Sequence, residues 1–139
     1  MAAGLQIVMV LAAVLAGAPA TAQVAEPAGG PLPPAGDVDY GMATQCAGSA
    51  AALAEIVGPQ DEMHPTFVSF ASAYKTWSHG LAEQSKLTAA KADAAIERQR
   101  TARTAAFAEA KTRGRSIDLL ESYKSAFKVC IASGTKQRA

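Results

Sequence analysis

The sequence predicts an all-α protein, a small antiparallel four-helix bundle whose first and last helices are joined by one disulfide. Three observations support this prediction. Apolar residues recur at spacings of three and four after residue 39, which is the period of one helix face. Proline disappears after Pro65, so none interrupts the later segments. The only two cysteines, Cys46 and Cys130, lie on the inner faces of the first and last periodic segments.

Residues 1–22 have the pattern of a cleaved signal peptide. Residues 5–18 are apolar apart from Gln6, and the small residues at 20–22 offer a cleavage site before Gln23. The apolar run is shorter than the ~20 residues that cross a bilayer. We therefore expect export to the periplasm or the extracellular space. Because the first six residues include no Lys or Arg, an uncleaved membrane anchor and a start codon placed too late remain as alternatives.

The rest of the chain divides into three parts. Residues 23–38 form a leader rich in Pro and Gly, with almost nothing to bury, and we expect it to be flexible. Residues 39–134 are long enough for one helical domain with one modest core. Residues 135–139 are expected to form a disordered tail.

The first helix is predicted over about residues 39–57. Asp37 and Asp39 suit its N-terminus, and Gly58 followed by Pro59 ends it. Its inner face is expected to comprise Met42, Cys46, Ser49 or Ala50, Leu53 and Ile56.

The second helix begins near Pro65, whose missing N–H costs nothing in the first turn. It has the clearest periodic pattern of the chain, formed by Phe67, Phe70, Tyr74, Trp77 and Leu81. An aromatic stripe of this kind can belong to a cofactor site, but it is far more typical of a bundle core. We interpret it as core.

The third helix is predicted over about residues 88–112, with Gly114 as its stop, and the fourth from a cap at Ser116 to an end at Gly134. The inner face of the third helix would comprise Ala89, Ala92, Ile96, Gln99, Arg103, Phe107 and Ala110. The inner face of the fourth would comprise Leu120, Tyr123, Phe127 and Cys130.

A break between the second and third segments decides the topology, since no Gly or Pro lies between Gly80 and Gly114. The alternative is a three-helix protein with one long, kinked central helix of roughly 70 Å, which would hold the two cysteines far apart. A turn near residues 83–88 instead places the cysteines at similar heights on neighbouring antiparallel helices, within the ~5.5 Å Cα separation that a disulfide needs. The four-helix bundle is therefore favoured.

The predicted disulfide should contribute strongly to the stability of the fold. It would close a loop of 84 residues between Cys46 and Cys130, which constrains the unfolded chain by roughly 4 to 5 kcal/mol. That is comparable with the whole net stability of a small domain. A redox-active pair is disfavoured because the sequence contains no Cys-x-x-Cys motif.

Charge is balanced in total but not along the chain. Residues 23–85 contain one cation against seven acids, a net of −6, and residues 86–139 contain twelve cations against five acids, a net of +7. The arginines and lysines of the second half are scattered around the helices and no aromatic platform accompanies them, which disfavours nucleic acid as a partner. A solvated surface that neutralises itself within the bundle is the preferred interpretation, and an anionic partner is the alternative.

Residues that could support catalysis or metal binding are scarce. His64 and His79 are the only histidines, and neither has a carboxylate or cysteine at the spacing of metal ligands. The sequence contains no motif for haem attachment, for a di-iron bundle or for a phosphate-binding loop. We therefore expect no metal, no cofactor and no enzymatic activity.

Gln99 and Arg103 interrupt the otherwise apolar inner face of the third helix. A buried, unpaired guanidinium is costly, which leaves three arrangements for Arg103. The side chain extends to the surface, pairs with an acid such as Glu55, or lines a pocket that receives an anion. Extension to the surface is the default for such a long side chain.

Two functional classes follow from the sequence. The favoured class is a small exported bacterial protein, not an enzyme, that binds a protein, a component of the cell envelope or a small ligand. The alternative is a ligand- or metal-binding bundle with its site in the core. Weak candidates for the lining of such a site are Tyr74, Trp77, His79, Gln99 and Arg103.

Overall fold

The computed structural model describes residues 38–138, of which 85% are helical and none forms a strand. Four helices pack together: α1 (Tyr40–Val57), α2 (His64–Gln84), α3 (Ala89–Thr112) and α4 (Ser116–Arg138). The predicted four-helix bundle is confirmed. The alternative with one long central helix is wrong, because a turn separates α2 from α3. The predicted signal peptide, most of the leader and Asp37 lie outside the described residues.

Polar side chains cap the N-termini of α1 and α3. The Asp39 carboxylate accepts a 2.7 Å hydrogen bond from the backbone N–H of Met42. The Thr88 hydroxyl accepts a 3.1 Å bond from the N–H of Lys91. Each cap satisfies one of the backbone donors that a helix leaves free in its first turn. The starts predicted for both helices are therefore confirmed to within one residue.

The N-cap of α4 lies one residue earlier than predicted. Its first intrahelical bond runs from the N–H of Leu119 to the carbonyl of Arg115, at 3.1 Å. Arg115 therefore occupies the cap position, and Ser116 is the first helical residue. The prediction of Ser116 as the cap is wrong by one residue.

The turn between α2 and α3 is closed by a Schellman motif centred on Lys86. The N–H of Leu87 donates to the carbonyl of Ala82 at 2.7 Å, and the N–H of Lys86 donates to that of Glu83 at 3.0 Å. Lys86 has a φ of 60°, the left-handed conformation that glycine normally supplies at this position. The same pair of bonds closes α3, where Gly114 has a φ of 69°.

The four helices do not pack equally, and α1 is the central helix of the fold. It packs chiefly against α2 and α3 and less extensively against α4. Its buried residues surround the helix and are Ala43, Thr44, Cys46, Ala47, Gly48, Ser49, Ala50, Ala52, Leu53 and Ala54. The prediction of a single buried face was too narrow. Most of these residues have small side chains, which allow neighbouring helices to approach α1 on several sides.

The backbones of α1 and α3 approach closely at Gly48. A Cβ atom added there would lie 2.3 Å from the Cβ of Gln99 and 2.7 Å from the carbonyl oxygen of Ile96. Only glycine fits this contact, because real Cβ atoms do not approach other heavy atoms so closely. Gly48 therefore fixes the position of α3 against α1.

The aromatic stripe of α2 forms the core, as predicted. Phe67, Phe70, Tyr74 and Trp77 are buried, and the Phe127 ring of α4 meets Phe67 and Phe70 edge to face, at centroid distances of 5.7 and 6.0 Å. Such edge contacts stabilise a pair by about 1 kcal/mol beyond the burial of area. The aromatic side chains of α2 thereby fix the second half of α4.

The fourth helix does not end at Gly134 but continues to Arg138, so residues 135–138 are not the disordered tail that was expected. Gly134 is a packing residue and not a stop. A Cβ added there would lie 2.6 Å from Cε1 of Phe70 and 3.4 Å from the hydroxyl of Tyr74. One residue of the predicted leader is also part of the core, since Val38 is only 1% exposed.

The far half of the α3–α4 hairpin projects from the core. No residue between 93 and 126 is fully buried, and of the predicted inner face of α3 only Ala92 is fully buried, whereas Ala89 is exposed. The sequence of this region explains the result, because alanine and charged residues dominate it and offer little apolar area to bury. Within residues 38–138 no helix combines the length and the apolar character needed to span a membrane.

Candidate functional site

Cys130 anchors α4 to the other helices. Its sulfur is bonded to that of Cys46 at 2.07 Å, with a Cα separation of 5.8 Å, which confirms the predicted disulfide between the first and last helices. Its carbonyl oxygen accepts a 2.7 Å hydrogen bond from the hydroxyl of Tyr74. Burial raises the pKa of Tyr74 to about 12, and the backbone N–H of Gly134 opposes this increase in part. The disulfide and the hydrogen bond thus hold one turn of α4 against both α1 and α2.

A cleft of about 260 Å³ lies beside this anchor, and we call it the Arg103 cleft. One wall is formed by α1 and the other by α4. Leu53, Phe127 and the disulfide Cys46–Cys130 make much of its surface apolar. Arg103 is the only residue of α3 that lines it.

Arg103 enters the cleft without an acidic partner. Its Nε atom is buried and makes no hydrogen bond with the described residues. The guanidinium lies over the ring of Tyr123, with its central carbon 5.3 Å from the ring centroid. A contact of this kind attracts a cation by about 0.5 to 2 kcal/mol but satisfies no N–H donor.

The acid considered as a partner for Arg103 is bonded elsewhere. Glu55 accepts a 2.5 Å hydrogen bond from Arg100, and Glu97 binds the same guanidinium through both its carboxylate oxygens. These bonds lower the pKa of Glu97 below its usual value. The alternative in which Arg103 pairs with Glu55 is therefore wrong. The buried atom is Nε, at the base of the guanidinium, and its burial is compatible with the predicted extension of the outer nitrogens to the surface.

The position of Arg103 follows from the packing of α3 one turn earlier. Gly48 admits the Cβ of Gln99 into close contact with α1, and Arg103 follows Gln99 by four residues, on the same face of the helix. The ion pair between Arg100 and Glu55 links the same two helices. These contacts hold the root of the Arg103 side chain between α1 and α4.

The residues around Arg103 suit an anion attached to an apolar group. Gln45 and Ser49 add neutral polar groups from α1, and no acid is among the described residues that line the cleft. A guanidinium carries its charge throughout the physiological pH range and offers five N–H donors. The cleft can therefore bind an anion, and nothing in its lining supplies a nucleophile activated by a base.

Of the five residues suggested as lining a core site, only Arg103 lines the cleft. Tyr74 and Trp77 are buried against each other edge to face, at 4.9 Å between centroids. His79 is half-exposed and forms a 2.6 Å contact with Asp93 between α2 and α3. Gln99 packs on Gly48. The structure thus does not bring the five together.

Other residues of the cleft were not recognised as functional from the sequence. Tyr123 was predicted only as core, and Gln45 was not singled out. Their spacing from Arg103 in the sequence, 20 residues for Tyr123 and 58 for Gln45, gives no local signal. The pairing of helix faces alone brings them together.

Other candidate sites in residues 38–138 are weaker. No group of three or more His, Cys, Asp or Glu side chains is placed there to hold a metal ion. A depression on α3, lined by Ala94, Glu97, Arg98, Thr101 and Ala102, has no facing wall because all five residues belong to one helix. No protein-family model, curated protein or solved structure matches the chain.

Proposed function

We propose that this protein is an exported helical binding module that takes an anionic ligand in the Arg103 cleft and performs no chemistry on it. The observation that carries the proposal is the unsatisfied buried Nε of Arg103, a residue that lines a cleft with no acid in its lining. An unsatisfied buried donor destabilises a fold by about 1 to 3 kcal/mol. A ligand that satisfies the guanidinium explains why such a residue is present.

The location outside the cytoplasm is supported by two features. A disulfide joins the first and last helices of the fold, and structural disulfides form and persist mainly in oxidising compartments. The sequence of residues 1–22 has the pattern of an export signal. We expect the mature protein to begin at Gln23.

The location is tested by intact-mass measurement of the protein recovered from the producing cells. The expected mass is that of residues 23–139 with one internal disulfide. A protein that retains residues 1–22, or that carries two alkylatable thiols in the exported fraction, would contradict the proposal.

The binding function is tested by native mass spectrometry of the disulfide-bonded protein after incubation with a small-molecule extract of the same cells. The wild type should carry a bound mass that Arg103→Met does not, because methionine keeps the apolar stem but removes the guanidinium. Arg98→Met is the matched control, since Arg98 lies exposed on the same helix and its replacement changes net charge equally. Equal bound mass, or none, in all three proteins would refute an Arg103-dependent site.

A further inference from the structure

The lining of the Arg103 cleft narrows the class of ligand that it can take. On this basis, and assuming the binding function proposed above, we infer that the cleft binds a small monocarboxylate whose carboxylate is attached directly to a short apolar body, as in a medium-chain fatty acid. Three properties of the cleft lead to this inference: its charge, the geometry of its cation and its apolar surface.

The charge of the cleft favours a monoanion. Arg103 is the only charged residue among the described residues that line it. One guanidinium neutralises one carboxylate, whereas a phosphate near its second ionisation carries up to two negative charges. A dianion would leave uncompensated charge beside apolar side chains, which is costly. Carboxylates are therefore preferred over phosphates.

The geometry of the cation favours a planar anion. The guanidinium carbon lies over the ring of Tyr123 at 5.3 Å from its centroid, a contact that uses none of the N–H donors. A planar fork of N–H donors matches the two oxygens of a carboxylate. A carboxylate that pairs with the edge formed by Nε and one outer nitrogen would satisfy the buried donor, and this requires a rotation of the guanidinium that exposes Nε to the cleft.

The remaining surface of the cleft suits an apolar body. Leu53, Phe127 and the disulfide lie within the cleft, and Val129, 61% exposed, lies at its rim. The volume of about 260 Å³ is slightly below the range of about 300 to 1,000 Å³ that is usual for drug-sized ligands. A short apolar body, smaller than a drug-sized ligand, is the scale that such a cleft accommodates.

Two sources supply this chemistry, a free fatty acid and the C-terminal residue of a peptide with an apolar side chain. Isothermal titration calorimetry at neutral pH separates them, with octanoate and an acetylated tripeptide ending in a free leucine carboxylate as the two probes. Octanamide keeps the apolar body without the charge. Acetate and inorganic phosphate keep a charge without the apolar body.

We expect octanoate to bind the disulfide-bonded protein more tightly than octanamide by about tenfold to a hundredfold, the value of one charge-assisted hydrogen-bonded contact. Acetate and phosphate should bind more weakly still. Arg103→Met should weaken the binding of octanoate by the same factor. Arg103→Lys should weaken it by less, because lysine keeps the charge and loses the planar fork. Arg98→Met should bind like the wild type. Tighter binding of the peptide than of octanoate identifies a terminal carboxylate as the source and keeps the inferred chemistry.

Two results overturn the inference and are distinguishable from each other. If phosphate or acetate binds as tightly as octanoate and depends on Arg103, the binding function stands but the apolar monocarboxylate does not. If octanoate and octanamide bind equally, or if no probe depends on Arg103, the inference fails. If the native mass measurement also shows no Arg103-dependent ligand, the proposed function fails with it.

Discussion

Arg103 combines a stability cost with a position in a cleft. Its Nε is buried without a hydrogen bond, and the cost of such a donor, about 1 to 3 kcal/mol, exceeds the gain of about 0.5 to 1 kcal/mol expected from a partly exposed contact with the Tyr123 ring. Sites that violate a packing rule in this way are often functional, since stability and activity compete at them.

Arg103→Met should therefore stabilise the protein without ligand. We expect the free energy of unfolding to rise by about 1 kcal/mol, since the variant removes an unsatisfied donor and keeps the apolar stem. Urea denaturation of Arg103→Met, Arg98→Met and the wild type measures the effect. A clear loss of stability in Arg103→Met alone would show that the guanidinium is a structural element and not a cost.

Lys86 is the second residue whose conformation is costly. A left-handed conformation disfavours a residue with a side chain by about 1 to 2 kcal/mol, whereas Gly114 supplies it freely in the equivalent turn. Lys86→Gly should stabilise the protein by about 0.5 to 1 kcal/mol, after the greater freedom of glycine in the unfolded chain is subtracted.

The neighbouring Ser85 provides the control for this substitution. Ser85 has a φ of −92°, so Ser85→Gly brings only the added freedom of the unfolded chain and should destabilise by about 0.5 to 1 kcal/mol. Thermal denaturation of both variants gives the comparison. Changes of the same sign in both would contradict the role of the left-handed conformation at Lys86.

Ionisation of Tyr74 makes the free energy of unfolding depend on pH in the alkaline range. Its pKa is raised to about 12 from the ordinary value of 10, so between these values the unfolded chain loses the phenolic proton while the folded protein keeps it. The contribution is therefore fully present below pH 10 and is lost as pH rises toward 12, with a total on the order of 2 kcal/mol.

Tyr74→Phe isolates this effect. At pH 8 the variant should be less stable by about 1 kcal/mol, since it lacks the hydrogen bond to the Cys130 carbonyl. Between pH 10 and 12 the wild type should lose stability faster than the variant, so the difference shrinks or reverses. Urea midpoints measured across this pH range check the prediction, and a constant difference would contradict it.

At the scale of elements, a glycine contact and an ion pair are among the interactions that hold α3 to α1. Gly48→Ala should destabilise the protein by about 2 kcal/mol or more, because the new methyl group would overlap Gln99 and the carbonyl of Ile96. Gly41→Ala is the matched control in the same helix. Its nearest neighbour would be the Asp39 carboxylate at 3.5 Å, an ordinary contact, so helix propensity should make it neutral or stabilising by up to about 1 kcal/mol.

Circular dichroism during thermal unfolding compares the two glycine variants. A close contact of α3 with α1 at Gly48 should give opposite or clearly unequal shifts of the unfolding midpoint. Similar shifts would mean that α3 does not approach α1 at Gly48 as described.

Helix types and most helix boundaries could be predicted from the sequence, since periodicity and caps are local properties. The turn at 85–88 could not be recognised from its own residues, because Lys86 occupies a position where glycine is the usual signal. Its existence followed from the pairing of the two cysteines, and the polar residues at 83–86 gave only a weak signal for its place. Gly134 was misread for the opposite reason: a glycine near the end of a helix suggests a stop, whereas here it makes room for the ring of Phe70.

The site was harder to predict than the fold. The polar interruption at Arg103 was visible in the sequence, and the pocket was one of three arrangements considered for it. The arrangement that Arg103 adopts depends on contacts between distant segments. Arg100 forms an ion pair with Glu55, and α4 places the Tyr123 ring under the guanidinium of Arg103. Neither contact leaves a local pattern in the chain.

At the scale of the whole molecule, the disulfide compensates for a thin interface. α4 contacts the other helices less extensively than α1 contacts α2 and α3, and no residue from 93 to 126 is fully buried. The bond at Cys46–Cys130 therefore secures the wall of the Arg103 cleft that α4 forms.

Replacing both cysteines with alanine should lower the free energy of unfolding by up to roughly 4 to 5 kcal/mol, the entropic effect of an 84-residue loop. Guanidinium denaturation compares this double variant with the oxidised wild type, and the reduced wild type serves as a second form without the bond. A loss below about 1 kcal/mol would show that packing alone holds α4.

The most direct test of the account is whether the guanidinium of Arg103 binds the carboxylate. In the ¹H–¹⁵N spectrum of the labelled protein, the Arg103 Nε–H signal is assigned by its disappearance in Arg103→Lys. Titration with octanoate should move this signal in a saturable way and leave that of Arg100, which is already bonded to Glu55, in place. An unmoved Arg103 signal at octanoate concentrations that saturate binding, or equal small shifts of all arginine signals, would contradict the account.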